Sequence, residues 1–360
     1  MAGRLKRIRQ GIKRPLQSAF AAALVGPLDR RTRTVRDLDG WEPRRIVVSR
    51  TDRIGDLLCC SPLLLALHQR WPRARLVLVA GAKNRAVLAG FPFVEEGPVF
   101  RRNPQSWTRL AWWLSRQGFD LSVSLRAESM AGVWISAWSR APIRMATHRT
   151  YAHPSCNLIL GIDEFHQTTR YCKAAAALGF APREIRPVFE VPPEAARRAA
   201  ELLPALAGPA AGPLVGLQVP HRGSKRHAVR AWPRENVIAL VRQLAADGCR
   251  VVLCGTGAER AEAEAVRALV PAAQLMPAVP LAVFAALQHH LDLFVSQYTG
   301  TLHLADAVGA PTVAFGLSLQ VEGWGVVGPQ HRSIGAPRVD AIPVETVLAA
   351  ARSVLAGRRA

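Results

Sequence analysis

The sequence predicts an α/β protein made of two doubly wound domains, and three observations lead to this prediction. Apolar strands alternate with helices in two separate stretches, a pattern typical of parallel sheets that helices cover on both faces. The chain of 360 residues is long enough for two cores, at roughly 150 residues per domain. A segment rich in Pro and Ala, from Pro182 to Pro213, separates the two stretches, as connections between domains do.

Residues 1–44 form a leader that differs from the rest of the chain. Basic side chains crowd its start, and Leu5, Ile8, Ile12 and Leu16 recur at spacings that place them on one face of a helix. Such a basic amphipathic helix suits an anionic membrane surface, which we expect residues 1–40 to bind. A solvated basic tail is the alternative interpretation.

The first domain is predicted over residues 45–190. Its strands are short apolar runs, and its helices have apolar residues at helical spacing. In chain order the predicted elements are strand Arg45–Arg50, helix Asp56–Arg70, strand Arg75–Ala80, helix Trp107–Gln117, strand Asp120–Leu125 and helix Glu128–Ser139.

A linker over residues 191–212, with a short helix at Pro193–Leu206, leads to a second domain over residues 213–360. Its final helix is expected to cover its own domain or to pack back on the first. In chain order the predicted elements are strand Leu214–Val219, helix Pro233–Asp247, strand Arg250–Cys254, helix Ala258–Leu269, helix Leu281–His289, strand Asp292–Ser296, helix Thr299–Val308, strand Thr312–Phe315 and helix Val344–Leu355. The two domains should face each other across a cleft, with ligands at the carboxyl ends of the strands.

The net charge of +21 calls for an anionic partner, such as a membrane, a phosphorylated substrate or a nucleic acid. Nucleic acid is disfavoured, because the basic residues are spread through both domains without a DNA- or RNA-binding motif. The six cysteines include no C-x-x-C pair, so we interpret them as reduced core residues of a cytoplasmic protein. No apolar run approaches the roughly 20 residues that span a bilayer.

The first segment with candidate chemistry follows the first strand and runs from Arg50 to Leu58. Gly55 permits a tight turn or the close approach of a ligand. Asp56 stands at the start of a helix, where the dipole favours its ionised form, and an ionised carboxylate in a cleft can act as a general base. A plain helix-capping role for Asp56 is the alternative interpretation.

The second segment runs from Ser296 to Leu304, between a strand and a helix. Thr299, Gly300 and Thr301 offer hydroxyls and backbone N–H groups at a helix N-terminus, which favours the binding of an anion such as a diphosphate. An ordinary turn is the alternative. His303 lies within reach of such a phosphate or simply packs in the core.

The third segment is the basic loop over residues 220–230, which includes Lys225 and Arg230 and leads to Trp232-Pro233. Cations in this loop can neutralise charge on a departing diphosphate, although most of the loop is interpreted as solvated. Gly255-Thr256-Gly257 also follows a strand, but Arg260 replaces the third glycine of the dinucleotide motif, so NAD is not expected.

Metal sites are not predicted either. No plausible zinc cluster occurs in the sequence. Asp37-Leu38-Asp39 resembles a metal-binding D-x-D, but it lies in the leader before the first strand, and we interpret it as a charged linker.

Taken together, these segments resemble glycosyltransferase family 9, the ADP-heptose:lipopolysaccharide heptosyltransferases. Ile46–Val79 is similar to the family's opening strand, G-D turn, T/S-P helix and second strand. Arg230-Ala231-Trp232-Pro233 is similar to its K-x-W-P, and Gly255–Arg260 to its G-x-x-x-E-R. Asp292–Val313 is similar to its DLVVSNDTG-x-x-H-L segment.

The resemblance implies a GT-B fold, two Rossmann-like domains of which the first binds the acceptor and the second the nucleotide sugar. It implies inverting transfer without a metal or other cofactor. Asp56 matches the family's catalytic base, with Arg53 and Gly55 beside it. The matching donor-side residues are Lys225 and Arg230 in the basic loop, Gly255, Tyr298, Thr299, Gly300, Thr301 and His303.

One position departs from the family pattern. The family has Asp directly before Thr-Gly, where it contacts the donor sugar, and this chain has Tyr298. A phenol cannot accept two sugar hydroxyls as a carboxylate does. The substitution therefore predicts a donor sugar that differs from heptose, or an activity that is reduced or lost, as in a catalytically degenerate glycan-binding paralogue.

We therefore expect a monomeric inverting glycosyltransferase that moves heptose or a related sugar to a lipopolysaccharide core or similar lipid-linked glycan. The alternative is a family member that uses another nucleotide sugar for a capsule or surface glycan. The resemblance places the enzyme at the inner face of the inner membrane of a Gram-negative bacterium. The anionic membrane surface, rather than nucleic acid, is the expected macromolecular partner.

Overall fold

The computed structural model describes residues 31–126, 129–148, 155–208, 211–220 and 231–357. The chain divides into two compact units. The first is Met1–Glu164 with Thr169–Arg183, and the second is Phe165–Thr168 with Glu184–Ala360. Both are α/β units built on parallel sheets, as the sequence predicted.

The first unit contains a six-stranded sheet in the order β3-β2-β1-β4-β5-β6. Its strands pair in parallel, for example β1 with β2 and β4, and apolar residues of β1, β2 and β4 are buried in its core. The strands are β1 (Arg45–Arg50), β2 (Arg75–Ala80), β3 (Glu95–Glu96), β4 (Leu121–Ser124), β5 (Ile143–Ala146) and β6 (Leu158–Ile159).

The helices of the first unit differ from the prediction in two main respects: helix Gln167–Ala177 was not predicted, and one predicted helix is divided. The helix predicted over Asp56–Arg70 is two helices, because Pro62 lacks an N–H group and is accommodated in the first turn of the second one. The helices are α1 (Ile54–Leu58), α2 (Ser61–Arg70), α3 (Pro104–Ser115), α4 (Met130–Trp138) and α5 (Gln167–Ala177), with 3-10 turns at Val35–Leu38 and Arg85–Gly90.

The second unit repeats this design with the strand order β12-β11-β10-β7-β8-β9. Its strands are β7 (Leu214–Gln218), β8 (Arg250–Cys254), β9 (Gln274–Leu275), β10 (Leu293–Gln297), β11 (Thr312–Leu317) and β12 (His331–Ala336). Its helices are α6 (Pro193–Ala207), α7 (Arg234–Ala246), α8 (Ala258–Leu269), α9 (Leu281–His289), α10 (Gly300–Ala307), α11 (Ser318–Trp324) and α12 (Val344–Ala356), with a 3-10 turn at Val339–Ala341.

Two predicted boundaries need correction. Most of the predicted linker over 191–212 is helix α6, which packs against α9 because its buried face carries Ala195, Ala199 and Leu206. It therefore belongs to the second unit, which already includes Glu184. The final helix, α12, packs on α7 and β10–β12 of its own unit.

The predicted leader also ends earlier than residue 44. Leu38 is only 1% exposed, and the Arg33 N–H group donates to the Asn157 carbonyl at 2.7 Å. The Trp71 indole donates to the carbonyl of Trp41 at 2.9 Å. Asp37 is not part of a linker, because its carboxylate accepts the Thr34 N–H group at 2.7 Å. Residues 33–41 are therefore part of the first unit, whereas the predicted amphipathic helix falls on residues 1–30, outside the described residues.

Substitution of Leu38 tests this boundary. Leu38→Ala removes a buried side chain, so we expect the free energy of unfolding to fall by about 2–5 kcal/mol. Urea denaturation measures this. Leu319, which is 61% exposed, is the matched control, and Leu319→Ala should change stability by less than about 0.5 kcal/mol. If the Leu38 variant and the wild type are equally stable, residues 31–44 belong to the leader and not to the folded first unit.

Candidate functional site

In the first unit, the candidate site is the turn between β1 and α1. Helix α1 begins at Ile54, with Arg53 in the N-cap position and Asp56 as its third residue. The capping role considered for Asp56 is therefore wrong, because the cap position belongs to an exposed arginine. Gly55 is buried inside the first turn of this helix, so it lies in a helix and not in a loop turn.

The Asp56 carboxylate faces the buried guanidinium of Arg50, at 3.5 Å from Nη2. Arg50 is the last residue of β1, and its Nε donates to Asp52 at 2.8 Å. Its Nη1 donates to the Leu125 carbonyl at 2.9 Å and to the Tyr171 hydroxyl at 3.0 Å. One arginine therefore holds two carboxylates at the carboxyl end of the central strand.

Burial raises the pKa of Asp56 above its ordinary value. The Arg50 guanidinium opposes this shift, and the neighbouring Asp52 carboxylate adds to it. The side chain of Asp56 keeps 19% of its surface exposed, so it is open to solvent. A carboxylate with a raised pKa is a stronger base than an ordinary one, which suits the uptake of a proton from a hydroxyl.

In the second unit, the turn between β10 and α10 carries a chain of hydroxyl groups. Thr299 occupies the N-cap of α10, and its hydroxyl lies 2.8 Å from that of Thr301 and 3.2 Å from that of Ser296. Thr301 donates onward to Gln218 at 3.2 Å. Because Thr299 uses its hydroxyl in this chain, the first N–H groups of α10, beginning at Gly300, remain available for an anion.

Tyr298 packs its ring inward in this turn. It contacts the buried residues Leu302, Ala314 and Val326, and a side chain at Gly316 would come within 2.8 Å of the ring. Within the described ranges, the Tyr298 hydroxyl is buried and has no hydrogen-bond partner of normal geometry. Burial raises its pKa to about 12, although nearby Ser333 lowers it. The ring therefore fills the space between α10 and β11.

His303 is buried in α10, 4% exposed. Burial lowers its pKa to about 4, and the nearby His166 ring lowers it further. His303 is therefore neutral near neutral pH. It can offer a phosphate a hydrogen bond but no charge.

Gly255 is required by packing at the end of β8. A Cβ at this position would lie 2.6 Å from the Cβ of Glu259, in the first turn of α8. The glycine therefore lets this helix begin directly beside the strand end. This close approach of helix and strand is an ordinary structural reason for the glycine.

The basic loop, with Lys225 and Arg230, lies outside the described residues. The chain that follows it is anchored beside the β10–α10 turn. The Trp232 N–H group donates to the Gln297 side chain at 3.1 Å, and its buried indole donates to the Ile342 carbonyl at 2.9 Å.

The family model for glycosyltransferase family 9 (heptosyltransferase) matches residues 107–340, which is more than half of the chain. This chain belongs to glycosyltransferase family 9. No curated protein sequence matches it. Membership of this family indicates that the chain is a glycosyltransferase.

The fold of this family 9 glycosyltransferase is similar to that of solved GT-B structures. The ADP-heptose lipopolysaccharide heptosyltransferase II of E. coli has a TM-score of 0.72 at 19% identity, over 88% of this chain and 100% of that one. A family 9 glycosyltransferase of Veillonella parvula has a TM-score of 0.72 at 18% identity, over 88% of this chain and 98% of that one. The E. coli heptosyltransferase WaaC with ADP has a TM-score of 0.67 at 18% identity, over 86% of this chain and 99% of that one.

The structure of this glycosyltransferase brings the donor-side segments together. Strands β10, β7 and β8 are neighbours in the sheet, and the carboxyl ends of β10 and β8 lead to Tyr298–Thr301 and to Gly255. Parallel strands end at one edge, so these two segments share an edge of the second unit. Asp56, Gly55 and Arg53 share the equivalent edge of the first unit.

The partners of these residues were not predicted from the sequence. Arg50 and Asp52 lie in the first predicted segment but without a predicted role, and Tyr171 and Gln218 were not expected at either site. A charged residue at the end of an otherwise buried strand, as at Arg50, was the available signal, because such a residue needs a buried partner.

In the described part of the chain, no group of His, Cys, Asp and Glu could hold a metal ion. Of the helices described, none is long and apolar enough to cross a membrane.

The raised pKa of Asp56 predicts how Asp56→Asn changes stability with pH. The pKa of Asp56 is higher in the folded than in the unfolded protein. The protonated carboxyl therefore contributes fully to the free energy of unfolding below about pH 4, and this contribution is lost as the pH rises through the folded pKa. At about pH 7.5 the neutral Asn should therefore raise the free energy of unfolding, and near pH 4 the two proteins should converge. Urea denaturation at both pH values measures this.

Asp247→Asn is the matched control with the opposite sign. The hydrogen bonds from Arg352 lower the pKa of Asp247, so this variant should lose stability at about pH 7.5. If the Asp56→Asn variant is less stable than the wild type at that pH, the attraction of Arg50 lowers the pKa of Asp56 by more than burial raises it, and the prediction is wrong.

Proposed function

We propose that this glycosyltransferase transfers heptose or a related sugar, with inversion, from a nucleoside diphosphate donor to a lipid-linked glycan. The supporting observation is the Asp56 carboxylate, held 3.5 Å from the buried Arg50 with a raised pKa. Asp56 takes the proton of the acceptor hydroxyl while the oxygen of that hydroxyl forms a bond to the anomeric carbon of the donor sugar. The bond from that carbon to the diphosphate breaks in the same displacement, which inverts the configuration, and no metal is needed.

The departing diphosphate is stabilised by groups at the carboxyl edge of the second unit. The N–H groups at the start of α10 are electrically neutral donors, which suit phosphate oxygens, and the hydrogen-bonded hydroxyls of Thr299 and Thr301 order this turn. Arg230 is proposed to supply positive charge, because it stands at the lysine of the family's K-x-W-P. Lys225 adds charge from the same loop, and His303 provides a neutral hydrogen bond.

The donor is a nucleotide sugar, and relatives suggest its kind. Solved structures of WaaC contain ADP and ADP-2-deoxy-2-fluoro heptose. Tyr298 distinguishes this chain, because its inward ring gives no carboxylate to the sugar hydroxyls. We therefore propose a donor sugar that differs from heptose near this position.

The acceptor is proposed to be a lipopolysaccharide core or a similar glycan on a lipid. A net charge of +21 favours work at an anionic surface, and we propose that this surface is the inner face of a Gram-negative inner membrane. The basic leader contributes to this attraction.

Loss of the Asp56 carboxylate should abolish most of the turnover. Asp56→Asn keeps the size of the side chain but cannot accept the proton, so we expect turnover to fall by about two to four orders of magnitude. Release of the nucleoside diphosphate in the presence of an acceptor glycolipid measures turnover. Donor binding, followed by thermal shift, should be retained.

Asp52→Asn is the matched control for this experiment. Asp52 also contacts Arg50, yet it bonds to Arg126 at 2.9 Å and takes no proton in the proposed reaction. We expect its loss of turnover to be about tenfold or less. Similar losses in both variants would assign Asp56 a structural role.

Substitutions of Tyr298 test the proposed donor shift. We expect weak use of ADP-heptose by the wild type and a higher kcat/KM for Tyr298→Asp, by about 1–3 kcal/mol in transition-state terms, from a restored charged hydrogen bond. The same variant should be less stable, because it buries a charge beside Leu302 and Ala314. Transfer from ADP-heptose to a deep-core lipid acceptor measures kcat/KM.

Tyr298→Phe is the control, since it keeps the ring and removes the buried hydroxyl. It should be equally active, and its stability should change by no more than about 1.5 kcal/mol, because the hydroxyl has at most a weak bond to Ser333. Efficient wild-type transfer of heptose that either substitution impairs would make Tyr298 an adapted heptose contact.

A further inference from the structure

Helix α3 of the first unit presents an aromatic and cationic face to solvent. Leu110 and Leu114 are buried on its inner side, and Trp113 packs against Phe119 with ring centroids 5.8 Å apart. Trp112 points the other way and is 60% exposed. A large indole left in water on a well-packed helix marks a contact surface.

The surroundings of Trp112 are positively charged. Between Gly97 and Phe119 the sequence has four arginines and no Asp or Glu, and all four are exposed: Arg101, Arg102, Arg109 and Arg116. The Arg116 guanidinium lies 4.5 Å from the centroid of a Trp112 ring. A groove of about 840 Å³ runs along this helix between Pro98, Arg101, Arg109 and Trp112.

We propose that this α3 face is a docking surface for an anionic lipid bilayer. Tryptophan prefers the interface between lipid headgroups and acyl chains, and each arginine near an anionic membrane adds favourable electrostatic energy. The face combines both features on one rigid helix, and its charge is complementary to phospholipid headgroups. This contact is separate from the one predicted for residues 1–40.

The position of the α3 face connects it with the proposed reaction. The Phe100 N–H group donates to the Ala80 carbonyl at the end of β2, so Arg101 and Arg102 leave the sheet at its carboxyl edge. Asp56 lies at the same edge, after β1. A bilayer seated here would bring lipid-linked acceptors to the edge that carries the base.

The first experiment measures binding of the full chain to vesicles of phosphatidylglycerol and phosphatidylcholine, without donor or acceptor. Arg109→Ala combined with Trp112→Ala should weaken sedimentation with these vesicles by at least about tenfold, and added salt should weaken wild-type binding. The variant should keep the thermal midpoint of the wild type, because both side chains are exposed. Since no sugar transfer is measured, the result is independent of the proposed reaction.

The matched control removes one arginine and one exposed apolar side chain from α8 of the second unit. Arg267 is exposed and Leu269 is 53% exposed. Arg267→Ala combined with Leu269→Ala should leave vesicle binding within about twofold of the wild type. A loss equal to that of the α3 variant would mean that net charge alone decides binding, and the proposal would be wrong.

The second experiment isolates Trp112 from the leader. Vesicles with brominated acyl chains quench indoles that enter the bilayer, so the fluorescence of the bound wild type should fall. Trp112→Phe should lose most of this quenching. Bound protein without quenching at Trp112 would show that another segment holds the membrane.

Two other results would also overturn the proposal. In the first, the α3 variant changes the oligomeric state but not vesicle binding, which would assign this face to a second copy of the chain. In the second, it loses binding of single-stranded RNA while vesicle binding is unchanged, which would assign the face to nucleic acid.

Discussion

The guanidinium of Arg50 is buried at the end of β1, and a buried charge must be paired and hydrogen-bonded. Its partners come from elements distant in sequence: Asp56 in α1, the Leu125 carbonyl after β4 and Tyr171 in α5. The arginine thereby fixes how the central strands, the first helix and the last helix of the first unit meet. The orientation of the proposed base depends on this single side chain.

The two candidate sites differ in their electrostatics. The first has opposed charges, in which burial and Arg50 act against each other on the pKa of Asp56. The β10–α10 turn of the second has neutral donors, namely the N–H groups at the start of α10, beside the hydrogen-bonded hydroxyls of Thr299 and Thr301. Neutral donors can hold an anion without leaving a buried charge unpaired when the anion departs. This difference suits a base in one unit and a leaving group in the other.

Tyr298 shows how one substitution changes both packing and chemistry. Its ring occupies space against Leu302 and Ala314, and Gly316 leaves room for it. The same ring removes a carboxylate from the position that follows β10. Packing therefore stabilises the residue that we propose alters recognition of the donor sugar.

The sequence by itself determined the alternation of strands and helices. The bounds of Arg45–Arg50, Arg250–Cys254 and Ala258–Leu269 were predicted as they occur, because apolar runs and helical spacing are local properties. It also located the Gly55–Asp56 and Thr299–Gly300 segments, by their resemblance to a family.

Only the tertiary structure decided that Leu38 joins the core, that Arg50 holds Asp56 and that the Tyr298 ring turns inward. It also decided that α6 and α12 pack on the second unit. These contacts join residues far apart in the chain, as Arg50 and Tyr171 are, and depend on which strands become neighbours. Strand order is set by the packing of whole elements, so no local pattern of residues reports it.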